Sequence, residues 1–364
     1  MAVKKRKSRN ILMMITSRTA MVIVAALLVI SYVSSFLNPA KFWLLTIFGM
    51  CFLPLAIINF ILLFWALSRR SKSFIIPLLA LLPSFLFMGR YVQIFTSSEK
   101  IQNIGNAHNI KLITYNVGRF SARKEDGKTR EGISNEIFTF LKKENPDIVC
   151  LQEVWVKDMR TVKAYFSKMM PGYQYRYCLS HGANGNFGNV TFSRFPIIDS
   201  GKLTFDKSAN MAIYTDIESD SGLFRVYNCH FESYNISLPH LVKSLGTDHH
   251  KVLKETGDKL EASITRRPEQ VNKVLNNINS SQKTSIVCGD FNDTPMSYTY
   301  NQLMKGRKDS FVEAGDGFGA TYDYMWPALR IDYALFPEEY NVFSHYICKV
   351  GYSDHYPVIT HFLI

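Results

Sequence analysis

The stretch Ser285-Ile-Val-Cys-Gly-Asp-Phe-Asn-Asp-Thr-Pro295 joins the composition of a buried strand to groups that can do chemistry. Ile286, Val287 and Cys288 form an apolar run too short for a helix, as expected of a strand covered on both faces. Gly289 ends the run. Asp290 and Asn292 are two apart on an extended chain and leave it on the same side. A carboxylate and an amide at the carboxyl end of a covered strand can hold a cation, position a water or share a proton. Asp293-Thr294-Pro295 then breaks the ladder into a turn.

Taken alone, Gly-Asp-x-Asn is equally an ordinary strand-to-loop turn. Its weight comes from other polar groups at the ends of β-like runs: Asn116, Glu153, His230 and Asp332, with Ser353-Asp354-His355 before the last run. The set is rich in oxygen and lacks cysteine, which suits a hard cation such as Mg2+ or Mn2+ rather than zinc. Two histidines beside several carboxylates suit proton transfer near neutral pH. Asp332 stands between Ile331 and Tyr333, where an unpartnered charge is costly, and a histidine is its natural partner.

The elements that must position these groups alternate along the second part of the chain. Strands are predicted at 111–117, 147–153, 173–179, 189–192, 211–217, 223–231, 330–336 and 356–363, with helices at 135–143 and 266–278. The glycine-rich loop His181-Gly-Ala-Asn-Gly-Asn-Phe-Gly188 has no helix after it, so it reads as a hairpin turn and not as a phosphate cradle. Sequential strands rich in β-branched and aromatic residues predict an α/β, four-layer sandwich: two packed mixed sheets with outer helices. Cys150, Cys229 and Cys288 lie inside predicted buried strands and read as core thiols, not as a disulfide or metal framework.

The first hundred residues differ. They carry twelve basic side chains and one acid, a net +11 of the chain's +12, which leaves 101–364 at +1. The basic excess is therefore no evidence for a nucleic-acid face. Residues 19–40, 42–68 and 73–89 are free of charge, and three transmembrane helices are predicted at about 19–40, 42–66 and 73–95. A basic head (five of the first nine residues) and the loop Ser68-Arg-Arg-Ser-Lys72 should stay in the cytoplasm. An odd number of spans then puts residues 101–364 on the extracytoplasmic side of a bacterial inner membrane.

Thr114-Tyr-Asn116, Leu151-Gln-Glu153, Asn228-Cys-His230, Gly289-Asp-Phe-Asn292, Arg330-Ile-Asp332 and Ser353-Asp-His355 stand in the order of the endonuclease/exonuclease/phosphatase superfamily, and the chain resembles it over 108–364. The resemblance implies roles. Glu153 is the principal metal ligand, with Asn116 beside it and Asp354 contributing. His355 is the general base, oriented by Asp332. Asp290 is a second proton handler or water positioner, and Asn292 and His230 donate to the phosphoryl oxygens. Gly118 replaces the metal-binding aspartate of the repair-nuclease branch, which argues for one metal.

The resemblance leaves the substrate open. A membrane-tethered phosphodiesterase acting on lipid head groups or small phosphate esters fits the anchor and the near-neutral domain. A non-specific nuclease would show more basic surface. A catalytically inactive interaction module is the third alternative. Segment 233–265, with His240, His249 and His250, is the candidate rim over the site. Arg266 and Arg267 are candidates for a second phosphate, or simply a solvated helix start.

Overall fold

The computed structural model describes residues 2–94, 109–121, 127–182, 185–234, 249–325, 327 and 329–364. In chain order its strands are β1 (Val92–Gln93), β2 (Ile110–Asn116), β3 (Ile148–Val156), β4 (Gln174–Gly182), β5 (Gly185–Ser193), β6 (Ile197–Thr204) and β7 (Met211–Ser219). They continue with β8 (Gly222–His230), β9 (Ser285–Asp290), β10 (Arg307–Asp309), β11 (Gly317–Phe318), β12 (Asp332–Pro337), β13 (Asn341–Ile347) and β14 (Val358–Leu363). One sheet runs β13-β14-β2-β3-β5-β4 and the other β10-β12-β9-β8-β7-β6. Each is mixed, with β2/β3 and β8/β9 parallel and the remaining neighbours antiparallel.

The period of two along each strand builds the layers. Ile110, Leu112, Ile148 and Cys150 of one sheet meet Phe224, Val226, Ile286, Cys288, Ala334 and Phe336 of the other. Alternate residues Ile113, Tyr115, Val149 and Leu151 pack outward on helices Arg130–Glu144 and Val162–Met169. On the opposite side Tyr227, Val287 and Leu335 pack on Val271 and Val274 of helix His249–Ser281, and on Tyr300 and Leu303. These are the four expected layers. The glycine loop is the β4–β5 hairpin, whose pairing runs out to Gly182 and Gly185.

Gly289 shows why glycine precedes the acid. It adopts φ +129°, and an added Cβ would stand 2.0 Å from the Cys229 carbonyl oxygen of the neighbouring strand. Gly289→Ala is expected to destabilise the protein by about 3 kcal/mol or more, since both strain and backbone overlap oppose it. A denaturant titration of the two proteins measures this.

The N-terminal unit corrects the expectation of three transmembrane helices. Its elements are helices Ala2–Ser34, Pro39–Met50, Phe52–Ser68, Ile75–Leu81 and Phe85–Met88, with 3-10 turns Lys72–Phe74 and Leu82–Ser84 between the later ones. One stretch, Thr16–Ser34, is long and apolar enough to cross a membrane. Pro39–Met50 and Phe52–Ser68 form a pair bent by 48°, and Lys72–Met88 is shorter. Prolines account for the breaks: Pro54 has no N–H for the carbonyl four residues back, and Pro83 interrupts the third run in the same way.

Segment 233–265 is corrected in part. Residues 235–248, including His240, lie outside the described residues. From His249 the chain is helical to Ser281, so the predicted helix is only the later part of a longer one.

Candidate active site

The polar groups sit where inward-facing positions run out of apolar partners. On one sheet the register sets His230 beside Asp290 on parallel β8/β9, and Asp332 beside Asp290 on antiparallel β9/β12. On the other, Asn116 pairs with Gln152. Asn116 bridges the two sheets: its Nδ2 donates to Asp290 Oδ2 at 2.8 Å. Beneath lies an amide network in which Gln152 Nε2 donates to Asn228 Oδ1 at 2.8 Å and Asn228 Nδ2 donates to the Leu151 carbonyl at 3.1 Å.

Glu153 reaches the site through a backbone irregularity. By simple alternation it would follow Val149 and Leu151 onto the helix-facing side. Instead the β3/β5 register shifts between Leu151 and Val154, and Glu153 adopts φ +53°. A bulge at this point re-aims the side chain, with the local strain that such φ values carry. Glu153 Oε1 lies 3.7 Å from His230 Nε2, and Oε2 lies 3.1 Å from Arg119 Nε. Arg119 and Phe120 are also left-handed, at φ +55° and +54°, and the Arg119 guanidinium stacks 4.0 Å from the Phe187 ring centroid.

His355 lies in a turn fixed from both sides. The Ser353 hydroxyl donates to the Asn116 carbonyl at 2.9 Å and accepts from the His355 N–H at 3.3 Å. His355 Nδ1 meets Asp332 Oδ2 at 2.9 Å, and the Tyr322 ring packs edge-on at 5.1 Å. His355 Nε2 and His230 Nε2 each lie 3.8 Å from Asp290 Oδ2, too long for a direct hydrogen bond. His230 Nε2 is buried and has no hydrogen-bond partner among the described residues.

Asn292 is brought to the site, at φ +50°, but its amide faces inward: Nδ2 donates to the Phe231 carbonyl at 2.9 Å and lies 3.2 Å from Asp290 Oδ2. Its backbone N–H donates to Asp290 Oδ1 at 2.8 Å. Asp354 adjoins His355; its Oδ1 lies 3.2 Å from the Ser353 hydroxyl. Burial, with the charges of Asp354, Asp290 and Glu153 adding to it, pushes the Tyr322 phenol up.

The structure gives Arg266 and Arg267, the candidates for a second phosphate, carboxylate partners within the protein. Arg267 is buried inside helix His249–Ser281, not at a solvated helix start, and pairs with Asp293 at 2.8 Å. Arg266 pairs with Glu232 at 3.0 Å. Arg267 therefore braces the loop that carries Asn292, and Arg266 holds the segment that follows β8. Arg267 falls in the apolar stripe of Ile264, Val271 and Val274, which was its signal in the sequence.

Asp290, Asp332 and His355 offer ligand atoms within 4.8 Å of one another, and geometry alone would let them hold a metal. Their hydrogen bonds oppose that use, because His355 already engages Asp332, and Asn116 and Asn292 already engage Asp290. Glu153, Asp354 and the Asn116 amide oxygen, which accepts from the Gly118 N–H at 3.0 Å, are oxygen donors of the kind a hard divalent cation takes.

Burial pushes the Asp290 carboxyl up to about 6, with His355 opposing and Asp332 adding to the rise. Burial disfavours charge on His355, yet Asp332 and Asp290 outweigh it and hold the imidazole well above the ordinary histidine value. A folded-state pKa above the unfolded one gives stability that is complete below the unfolded value and lost as pH rises through the folded one. For Asp290 that window runs from ~4 to about 6, and for His355 it opens at ~6.5 and extends upward. In EDTA the melting temperature should therefore fall as the pH is raised from about 5 to about 9. Asp332→Asn should flatten the upper part of that fall, and a flat wild-type profile would contradict the assignment.

Residues 113–355 match the family model described as the endonuclease/exonuclease/phosphatase family, and the chain belongs to that family. A second model, a domain of unknown function, matches residues 12–91. No curated protein matches the chain. Among solved structures, an endonuclease/exonuclease/phosphatase from Bacteroides vulgatus superposes with a TM-score of 0.52 at 18% identity, over 71% of this chain and 99% of that one. The human Nocturnin catalytic domain with bound sulfate gives 0.52 at 19% identity, over 74% and 99%. A mannosyl-6-phosphatase from Bacteroides thetaiotaomicron gives 0.50 at 17%, over 70% and 100%. These likenesses establish the fold that the six ordered motifs implied, and the family's members are hydrolases of phosphate esters.

Proposed function

We propose that this chain is a membrane-tethered, divalent-metal-dependent phosphoesterase that hydrolyses phosphodiesters of lipid head groups or small phosphate esters. One observation carries the reading. Asn116, Glu153, His230, Asp290, Asp332 and His355, spread over some 240 positions, meet at one end of two packed sheets through contacts of 2.8 to 3.8 Å. The sulfate of the Nocturnin domain and the phosphate ester in the name of the mannosyl-6-phosphatase support a tetrahedral oxyanion as the ligand.

In this reading His355 keeps its ring proton on Nδ1, hydrogen-bonded to Asp332, and takes a second proton from the attacking water at Nε2. Asp332 stabilises the resulting imidazolium, and the raised affinity of His355 for a proton serves that step. Asp290, whose hold on a proton burial strengthens, passes a proton to the leaving oxygen or positions the water; Asn116 and Asn292 fix its orientation. His230 Nε2 donates to a phosphoryl oxygen. Glu153, Asp354 and Asn116 would hold Mg2+ or Mn2+, which when bound offsets the negative charge building on the phosphoryl group.

Membrane attachment is supported by the surface of the N-terminal unit, where Val22, Val29, Phe60, Phe64, Phe85 and Leu86 are all exposed. The basic head before Thr16–Ser34 favours a cytoplasmic N-terminus. The catalytic domain contacts the other end of that helix, at the Ser35 carbonyl, which supports an extracytoplasmic placement in a cell membrane.

The test uses the full chain in detergent with Mg2+ or Mn2+, offered bis(p-nitrophenyl) phosphate, phospholipid vesicles and plasmid DNA. EDTA and Glu153→Ala serve as controls. Cleavage of DNA alone overturns the substrate class, and activity that survives both controls removes the metal.

A further inference from the structure

The unit matching a domain of unknown function ends at residue 91, on the loop that leaves the site. Arg90 Nη1 donates to the Pro295 carbonyl at 2.9 Å and to Asn301 Oδ1 at 3.0 Å, and its guanidinium lies 5.0 Å from the Tyr300 ring centroid. Asn301 Nδ2 donates in turn to the Ser35 carbonyl at 2.9 Å. Met296, from the same loop, is buried among Leu28, Tyr32, Phe52, Phe87 and Tyr91 of the N-terminal unit. A Cβ on Gly49 would stand 2.7 Å from the Met296 carbonyl oxygen, so the two backbones approach as closely as glycine allows. Finally, the Tyr91 carbonyl accepts from the Gly319 N–H at 2.8 Å, and β1 pairs with β11.

A tether needs only a connection of sufficient length. It has no need to bury a catalytic-domain methionine or to bond the carbonyls of a catalytic loop. Pro295 is three residues beyond Asn292, at most about 10 Å of extended chain. Asn292 in turn holds Asp290 through its backbone N–H and abuts it with its amide. The contacts thus form one path from the membrane unit to the buried acid of the site.

We propose that residues 12–91 are a docking platform whose partner is the 292–301 loop of the chain's own catalytic domain, with Arg90 as a positioning residue for Asn292 and Asp290. The kinetic consequence rests on the hydrolase reading; the docking does not. Replacing Arg90 changes the identity of no catalytic side chain while removing the donors to Pro295 and Asn301.

The test compares wild type, Arg90→Ala and Arg90→Lys as full chains in detergent micelles, by amide hydrogen exchange over 293–301 and by kcat and KM on bis(p-nitrophenyl) phosphate. Arg90→Ala should speed exchange in that loop about tenfold or more, because a charged donor to two groups is lost. It should lower kcat by about tenfold while KM stays within about twofold. Arg90→Lys, which keeps a donor, should recover part of both. Unchanged exchange in Arg90→Ala overturns the docking, and faster exchange with unchanged kcat overturns the positioning role. If the wild type cleaves no phosphoester, the hydrolase reading fails separately and exchange alone decides the docking.

Discussion

His355→Ala is expected to lower kcat by about 10²–10⁴-fold on whichever phosphoester the protein cleaves, with little change in KM. The side chain has one nitrogen on Asp332, at 2.9 Å, and the other turned to the place where His230 and Asp290 also point. Among the described histidines only His355 has one nitrogen hydrogen-bonded to a carboxylate and the other facing that place, since His230 turns the same nitrogen to both Glu153 and Asp290 without a hydrogen bond. Asp332→Asn probes the same unit from behind. It keeps the shape but removes the charge that stabilises the imidazolium, so kcat should fall while the pH at which His355 loses its proton moves down. Steady-state kinetics across pH on the three proteins checks both statements.

Glu153→Gln is expected to cost at least about 100-fold in affinity for Mg2+ or Mn2+, beyond what loss of a supporting residue around a metal typically costs. Gln keeps the length and the left-handed backbone of the native residue, so the fold should survive. The substitution also removes the carboxylate that Arg119 pairs with at 3.1 Å, and a circular dichroism melt separates that structural effect from the metal effect. Titration with Mn2+, followed by its paramagnetic resonance, reads the affinity directly without any substrate.

Both residues could be picked from the sequence, for different reasons. Asp332 in an apolar run demands a partner, and a histidine answered that demand 23 residues later. Glu153 could be singled out by its motif, whereas its aim depends on a bulge that alternation does not foretell. The strands carrying site residues were legible because they are apolar on both faces. β6, β10 and β13 were not: Ile-Ile-Asp-Ser-Gly-Lys-Leu-Thr and Arg-Lys-Asp lack an apolar run, and all three strands form through tertiary pairing at or near the sheet edges. Arg267 is no solvated helix start because the helix is already present from His249, seventeen residues before the apolar periodicity at 266 becomes legible. Among the apolar runs, a count of uncharged residues takes no account of Pro54, which divides what reads as one continuous span, while Pro83 marks the third run as the marginal one. Nothing in the sequence announced that Arg90 would reach Pro295, since that contact joins positions 205 apart.

The most direct measurement is anomalous scattering from manganese in crystals of the full chain grown with Mn2+ and inorganic phosphate. The account predicts a manganese peak against the Glu153 carboxylate, with phosphate within hydrogen-bond reach of His230 and His355. Manganese seated instead among Asp290, Asp332 and His355 would contradict the assignment of His355 as the base, and manganese away from all these residues would contradict the site itself.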